Sequence, residues 1–233
     1  MVLTVARAVA DDLSEASMKT LTTLCTTLLA TGACAVHSEL AWADALYNTS
    51  FECAQASLVV EKLICRDPQL ARMDLELYRL YRLALTDERS VPRPDKVMTD
   101  QRFWTLARNQ CASTAEPKTC IRQAYAERAH QLRQGSAIVR TKDPSRLTDG
   151  PLAFHCDGLD ALVAATYFRA GPDVLYLRWA TTSITLTQVP SDSGERYSGK
   201  DARGYYSFSQ NGNQALLQRP ASAPLRCTLE PTG

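Results

Sequence analysis

The sequence predicts an α+β protein in two parts, a disulfide-stapled α-helical module followed by a small antiparallel β-domain. Three observations carry this reading. Up to about Leu132 apolar residues recur at three- and four-residue steps; beyond a run rich in Gly, Ser, Pro and Asp they alternate every second residue; and cysteines bracket the turns of the first part and stand near both ends of the second. The first period belongs to an amphipathic helix and the second to a strand with one buried face.

A chain of 233 residues with 45% hydrophobic residues is long enough for one large or two small domains. Its 26 Lys+Arg nearly cancel 25 Asp+Glu and no long basic run occurs, which argues against nucleic acid as a partner.

Residues 18–43, MKTLTTLCTTLLATGACAVHSELAWA, have a lysine after a methionine, an uncharged run from Leu21 to Val36, and small residues at Ala41 and Ala43. This is the layout of a secretory signal. Asp11, Asp12 and Glu15 place negative charge where such a signal needs positive, so translation is expected to start at Met18, with residues 1–17 a mis-called extension. Cleavage after Ala43 removes Cys25 and Cys34 and leaves Cys53, Cys65, Cys111, Cys120, Cys156 and Cys227. An even number in an exported chain points to disulfides, and no CxxC or Cys/His zinc spacing competes. A lipid anchor at Cys34 is a minority option, because Thr31-Gly32-Ala33-Cys34 lacks the bulky aliphatic residue usual three places earlier.

The helical module is expected over residues 44–135. Ser57 is placed to cap a short helix, LVVEKLIC, and Asp67-Pro68 supplies an N-cap with proline at the first helical position. Leu70, Met73, Leu77, Leu80 and Ala84 then form one buried stripe. Arg72, Arg79 and Arg82 are read as surface partners of Glu76 and Asp74, Tyr78 and Tyr81 as packing between helices, and His130 as part of a solvated face beside Arg128 and Arg133. Ser90 to Pro94 breaks the pattern. Helices follow at about Lys96 to Cys111, with Phe103, Trp104 and Leu106, and at about Pro117 to Leu132. Local pairing of Cys53 with Cys65 and of Cys111 with Cys120 would contribute about 2–3 kcal/mol each, although six cysteines allow about 15 connectivities.

The runs SFECAQASLVVEKLICRDPQLARMDLELYRLYRLAL, RFWTLARNQC and CIRQAYAERAHQL resemble the N-terminal domain family of the lysozyme inhibitor LprI, an exported α-helical domain. The resemblance rests on C-x11-C, E-K-x-I-C, an acidic-Pro-x-Leu-Ala step, R-x-W and a closing C-x3-A-Y.

Residues 136–150 have no period and read as a linker. In residues 151–233 strands are expected at Leu152 to Cys156, Ala161 to Phe168, Val174 to Trp179, Thr182 to Val189, Gly204 to Ser209, Ala215 to Gln218 and Leu225 to Leu229. Between them lie turn signals such as Asn211-Gly212-Asn213. So many short strands favour a small barrel or sandwich, with Cys156 and Cys227 placed to staple its ends. The stretch Ser191 to Gln214 is the most polar and loop-like and is read as the working surface.

No enzyme site emerges. His155 is placed for strand packing rather than for activating Cys156, the acids Asp157, Asp160, Asp173, Asp192 and Asp201 lack calcium-loop spacing, and Ser193-Gly194 lacks the first glycine of a nucleophile elbow. Neither a cofactor nor a metal is expected.

FHCDG, LTQVPSDSGERYSG, GYYSFSQNGNQALL and CTL resemble the membrane-bound lysozyme inhibitors of c-type lysozyme, the MliC family. That resemblance implies an eight-stranded antiparallel barrel closed by a disulfide. It also implies that a serine in an S-x-S-G-x-[RK]-Y loop and a lysine in a K-G-D-E-A segment enter the lysozyme cleft and bind its catalytic carboxylates. The serine falls on Ser193, with Gly194, Arg196 and Tyr197 completing the loop. The lysine position falls on Asn211, which offers only neutral donors, and Lys200 or Arg203 are the candidates to replace the charge. The implied function is an exported inhibitor, periplasmic or secreted and in the minority option membrane-anchored, whose barrel loops plug a c-type lysozyme. The alternative is an envelope binding or structural module for another muramidase, peptidoglycan or a periplasmic protein.

Overall fold

The computed structural model describes residues 46–141 and 147–231; the start at Met18, the signal, its cleavage after Ala43 and the lipid option at Cys34 fall outside the described residues. The described chain is α+β, with helices α1 (Val59–Cys65), α2 (Pro68–Ala84), α3 (Pro94–Asn109), α4 (Pro117–Gly135) and α5 (Ala137–Thr141) preceding eight strands.

The start of α1 differs from expectation. Ser57 does not cap it; Leu58 holds the cap position, and the Glu61 carboxylate accepts hydrogen bonds from the backbone N–H of Ser57 and Leu58 at 3.1 and 3.0 Å. An acid in the first turn serves the same free N–H groups from within the helix. In α2, Asp67 accepts from the N–H groups of Gln69 and Leu70 at 3.0 and 3.1 Å, ahead of Pro68. Its whole stripe of Leu70, Met73, Leu77, Leu80 and Ala84 is buried.

Tyr81 packs on that core, whereas Tyr78 is 47% exposed, because it lies on the opposite side of α2. Phe103 and Leu106 of α3 also face solvent, while Trp104 donates its Nε1–H to the carbonyl of Ala124 at 3.1 Å. A buried polar cluster ties the three long helices together. The Tyr125 hydroxyl donates to Asp74 at 2.7 Å and accepts from Arg108 at 3.1 Å. Burial, then the Asp74 charge, pushes the Tyr125 phenol well above its usual range. Asp74 is thus engaged inside the module rather than with a surface arginine. Arg79 does pair with Glu76, at 2.7 Å.

The disulfides are Cys53–Cys65, Cys111–Cys120 and Cys156–Cys227. The first two close short loops within the helical module, one around α1 and one between α3 and α4; the third joins directly opposed residues of the first and last strands.

Strands β1 (Thr148–Cys156), β2 (Val163–Phe168), β3 (Val174–Trp179), β4 (Thr182–Val189), β5 (Glu195–Asp201), β6 (Gly204–Asn211), β7 (Gln214–Gln218) and β8 (Leu225–Leu229) form a closed antiparallel barrel in sequence order. Closure leaves no open edge. The polar stretch from Ser191 to Gln214 is mostly strand rather than loop: β5 and β6 make a hairpin with seven residue pairs in register. Inside the barrel lie Phe154, Tyr167, Leu175, Leu177, Leu186, Tyr197, Phe208 and Leu217, all essentially inaccessible.

The outer faces of β2 and β3 are buried too. Phe168, Val174 and Tyr176 belong to the same apolar cluster as Leu70, Leu80, Tyr125 and Leu132 of the helices. Polar contacts frame that junction: Arg133 donates to the Gly150 carbonyl at 2.6 Å, Thr148 donates to Glu76 at 2.8 Å, and Gln69 donates to the Pro172 carbonyl at 2.5 Å. The stretch 136–150, read as a linker, carries α5 and the first residues of β1, and the described helices and strands fall in one compact unit.

His130 lies in the same junction and not on a solvated face. It is 0% exposed, with Nδ1 2.8 Å from the Thr166 hydroxyl and its ring 4.9 Å from that of Tyr176. Burial first, and then the Arg178 charge, lowers its pKa to about 4 against a weaker opposing contact from Gln134.

Candidate functional site

Antiparallel order puts the β4–β5 loop, the β6–β7 turn and the β2–β3 loop on one rim of the barrel. Ser193 and Gly194 sit exposed in the first, and Asn211 and Gly212 sit exposed at the second. Ser191 Oγ donates to the Ser193 carbonyl at 2.8 Å, a local turn that leaves the Ser193 side chain outward.

Gly194 is where the loop meets the barrel. It has φ +64, and a Cβ there would lie 2.2 Å from the Gln210 carbonyl oxygen. A side chain would therefore push the serine loop off β6, so the close approach that this glycine allows is made to its own barrel.

Tyr197 holds the loop from below. Its ring is 0% exposed inside the barrel and edge-on to Tyr167 at 5.7 Å, so it braces the loop and presents no surface to a partner. Its hydroxyl donates to Glu195 at 2.7 Å and accepts from Arg169 at 2.9 Å. Arg169 also reaches Asp173 and Glu195, both at 2.9 Å, and lies over the Tyr167 ring. Burial, followed by the Glu195 hydrogen bond, pushes the Tyr197 phenol far up. At Arg169 burial acts the other way but is outweighed by Asp173 and Glu195, which hold the guanidinium charged. The network sets one guanidinium between two carboxylates and a neutral phenol and fixes the start of β5 against the β2–β3 loop.

Arg196 is exposed on the outer face of β5, opposite Ser209 of β6. Lys200 and Arg203 are elsewhere. Lys200 sits near the far end of the β5 strand, beside Gln123 and Glu127 of α4, and Arg203 lies beyond that end, bonded to Asp201 at 2.6 Å. Seven strand residues span about 20 Å, so neither cation stands beside Asn211.

A groove of about 400 Å³ runs from this rim down the outside of β6–β8 and is lined by Ser193, Ser209, Asn211, Gln214, Leu216 and Arg226 among others. Sequence reasoning missed Arg226, although its place before inward-facing Cys227 marks it as outward-facing. It also missed Arg169, a loop residue in no motif. His155 points out of the barrel, opposite Thr228, rather than packing within it. Among the described residues no group of three or more His, Cys, Asp or Glu side chains could hold a metal ion, and no helix is long and apolar enough to cross a membrane.

A disulfide-closed eight-stranded barrel presenting this serine rim corresponds to the class whose family model matches residues 154–226, the membrane-bound lysozyme-inhibitor of c-type lysozyme, MliC. Lipoprotein LprI of Mycobacterium bovis and of two Mycobacterium tuberculosis strains is 31% identical over 172 residues, covering 73% of this chain and 82% of each relative. The chain belongs to the LprI family, with an LprI-like helical domain ahead of an MliC-type barrel. No solved structure matches the chain.

Proposed function

We propose that the protein is an exported lysozyme inhibitor, periplasmic or secreted, that blocks the active-site cleft of a c-type lysozyme with the rim built from the Ser193 loop and the Asn211 turn. The observation that carries the reading is the braced rim itself. An exposed serine is held on a rigid, disulfide-closed barrel by Gly194, Tyr197, Glu195 and Arg169, with an exposed amide beside it. Family membership supports lysozyme as the partner. A preformed protrusion loses little freedom on entering a cleft, and that economy raises affinity. Ser193 would exchange hydrogen bonds with the cleft carboxylates, Asn211 would add a neutral donor, and Arg196 would extend the contact along β5. The rim's role is binding rather than bond cleavage.

Titration of the mature protein into c-type lysozyme, followed by lysis of a cell-wall suspension, tests this. Inhibition by the wild type, weakened at least about tenfold by Ser193→Ala, is expected. Absence of inhibition at micromolar excess would sink the assignment.

A further inference from the structure

The groove below the rim has a simple electrostatic layout. Registers Arg196↔Ser209, Ser209↔Leu216 and Leu216↔Arg226 place these four side chains in one row across β5–β8. All four point outward, because Tyr197, Phe208, Ala215, Leu217 and Cys227 beside them point in. The row sets an exposed leucine and a serine between two arginines, about 14 Å apart at three strand spacings.

The rim's own cation is already paired, since Arg169 lies between Asp173 and Glu195, and Arg203 stands at the far end of the barrel, bonded to Asp201. Among the described residues that line the groove, Arg226 is the one charged side chain, and it has no ion pair there. The groove lining thus carries a single cation, with exposed Asp157 opposite it on the β1 side, neutral donors above it at Ser193, Asn211 and Gln214, and an apolar spot at Leu216, which is 48% exposed. Such a face complements a cleft lined by carboxylates. Lysozymes of the retaining kind carry two of them about 5–5.5 Å apart, and a guanidinium can hold a carboxylate with two parallel hydrogen bonds.

We propose that Arg226 is the cationic anchor of the docking face: its guanidinium takes a carboxylate of the lysozyme cleft, the outer face of β6–β8 lies against the cleft wall, and Ser193 and Asn211 add their neutral hydrogen bonds at the rim. The assignment rests on the inhibitor reading and adds a face and a residue to it. Arg226 is exposed and its side chain makes no hydrogen bond or ion pair among the described residues, so its replacement acts on binding rather than on folding.

The experiment measures inhibition of hen egg-white lysozyme by the wild type, Ser193→Ala, Arg226→Ala, Arg226→Lys and the double variant Arg226→Ala/Asn211→Lys, with thermal unfolding of each as a control. Arg226→Ala is expected to raise the inhibition constant tenfold or more at low salt and to flatten its salt dependence, with an unchanged melting temperature. Arg226→Lys should fall between, since an ammonium keeps the charge but not the paired geometry. The double variant should recover part of the loss by returning a cation to the same groove. An Arg226→Ala constant within twofold of the wild type, with Ser193→Ala clearly weakened, would overturn the anchor and leave the rim reading standing. A wild type that does not inhibit would overturn both.

Discussion

Gly194 concentrates the demands of the rim in one residue. Its φ of +64 suits glycine, and its missing Cβ is what lets the serine loop lie against the Gln210 carbonyl. Gly194→Ala should cost at least about 1–2 kcal/mol from the backbone conformation alone, more with the clash, and should weaken inhibition together with stability. Gly158→Ala is the control: its φ is also positive, at +81, but an added Cβ meets nothing within 4 Å. Urea unfolding of the two variants measures the difference, and equal losses would mean that the close approach at Gln210 contributes nothing. Legibility at this scale follows how local the cause is. Asp67 and Pro68 announce a helix start because cap and helix are adjacent in sequence. The actual brace at Tyr197 needs Arg169, 28 residues earlier, which no short motif contains.

At the scale of elements, the strands read most clearly were those with one or both faces apolar. Thr182–Val189 alternates, and Val174–Trp179 is buried on nearly every residue, as befits a strand with barrel core on one side and helices on the other. β5 has no strand signal of its own because ERYSGKD offers a single large apolar side chain, Tyr197; its pairing is dictated by β4 and β6 rather than by its own pattern. The closing pair of β1 and β8 leads to a graded prediction. Joining residues 71 apart, Cys156–Cys227 should stabilise the fold by about 4 kcal/mol in the chain-entropy picture, against about 3 kcal/mol for Cys111–Cys120, which spans 9. Paired serine substitutions at each bridge, followed by denaturant unfolding, should rank in that order; the reverse order would point to native contacts rather than loop length.

Across the whole molecule, the junction between helices and barrel makes stability depend on pH through His130. Its folded-state pKa of about 4 lies below the ordinary value of 6.5, so between those values the unfolded chain binds the extra proton. Stability is therefore full above about pH 6.5 and falls as the pH drops toward 4, by up to about 3 kcal/mol from this group. His130→Gln should flatten that part of the unfolding-midpoint profile, and a variant as acid-sensitive as the wild type would show that other groups set the slope. The junction was also the least legible feature of the sequence. Arg128, His130 and Arg133 look like a wet helix face until β1–β3, further along the chain, cover His130 and Arg133, while Arg128 turns onto α3 through Gln101 and the Val97 carbonyl.

The helices that cover β2 and β3 have one more consequence. With that arc of the barrel wall occupied, the arc from β5 to β8 is left to present the rim and its groove, and the molecule has a front and a back. Two lysozymes cannot share one barrel from opposite sides, so the complex should be one to one at any excess of enzyme.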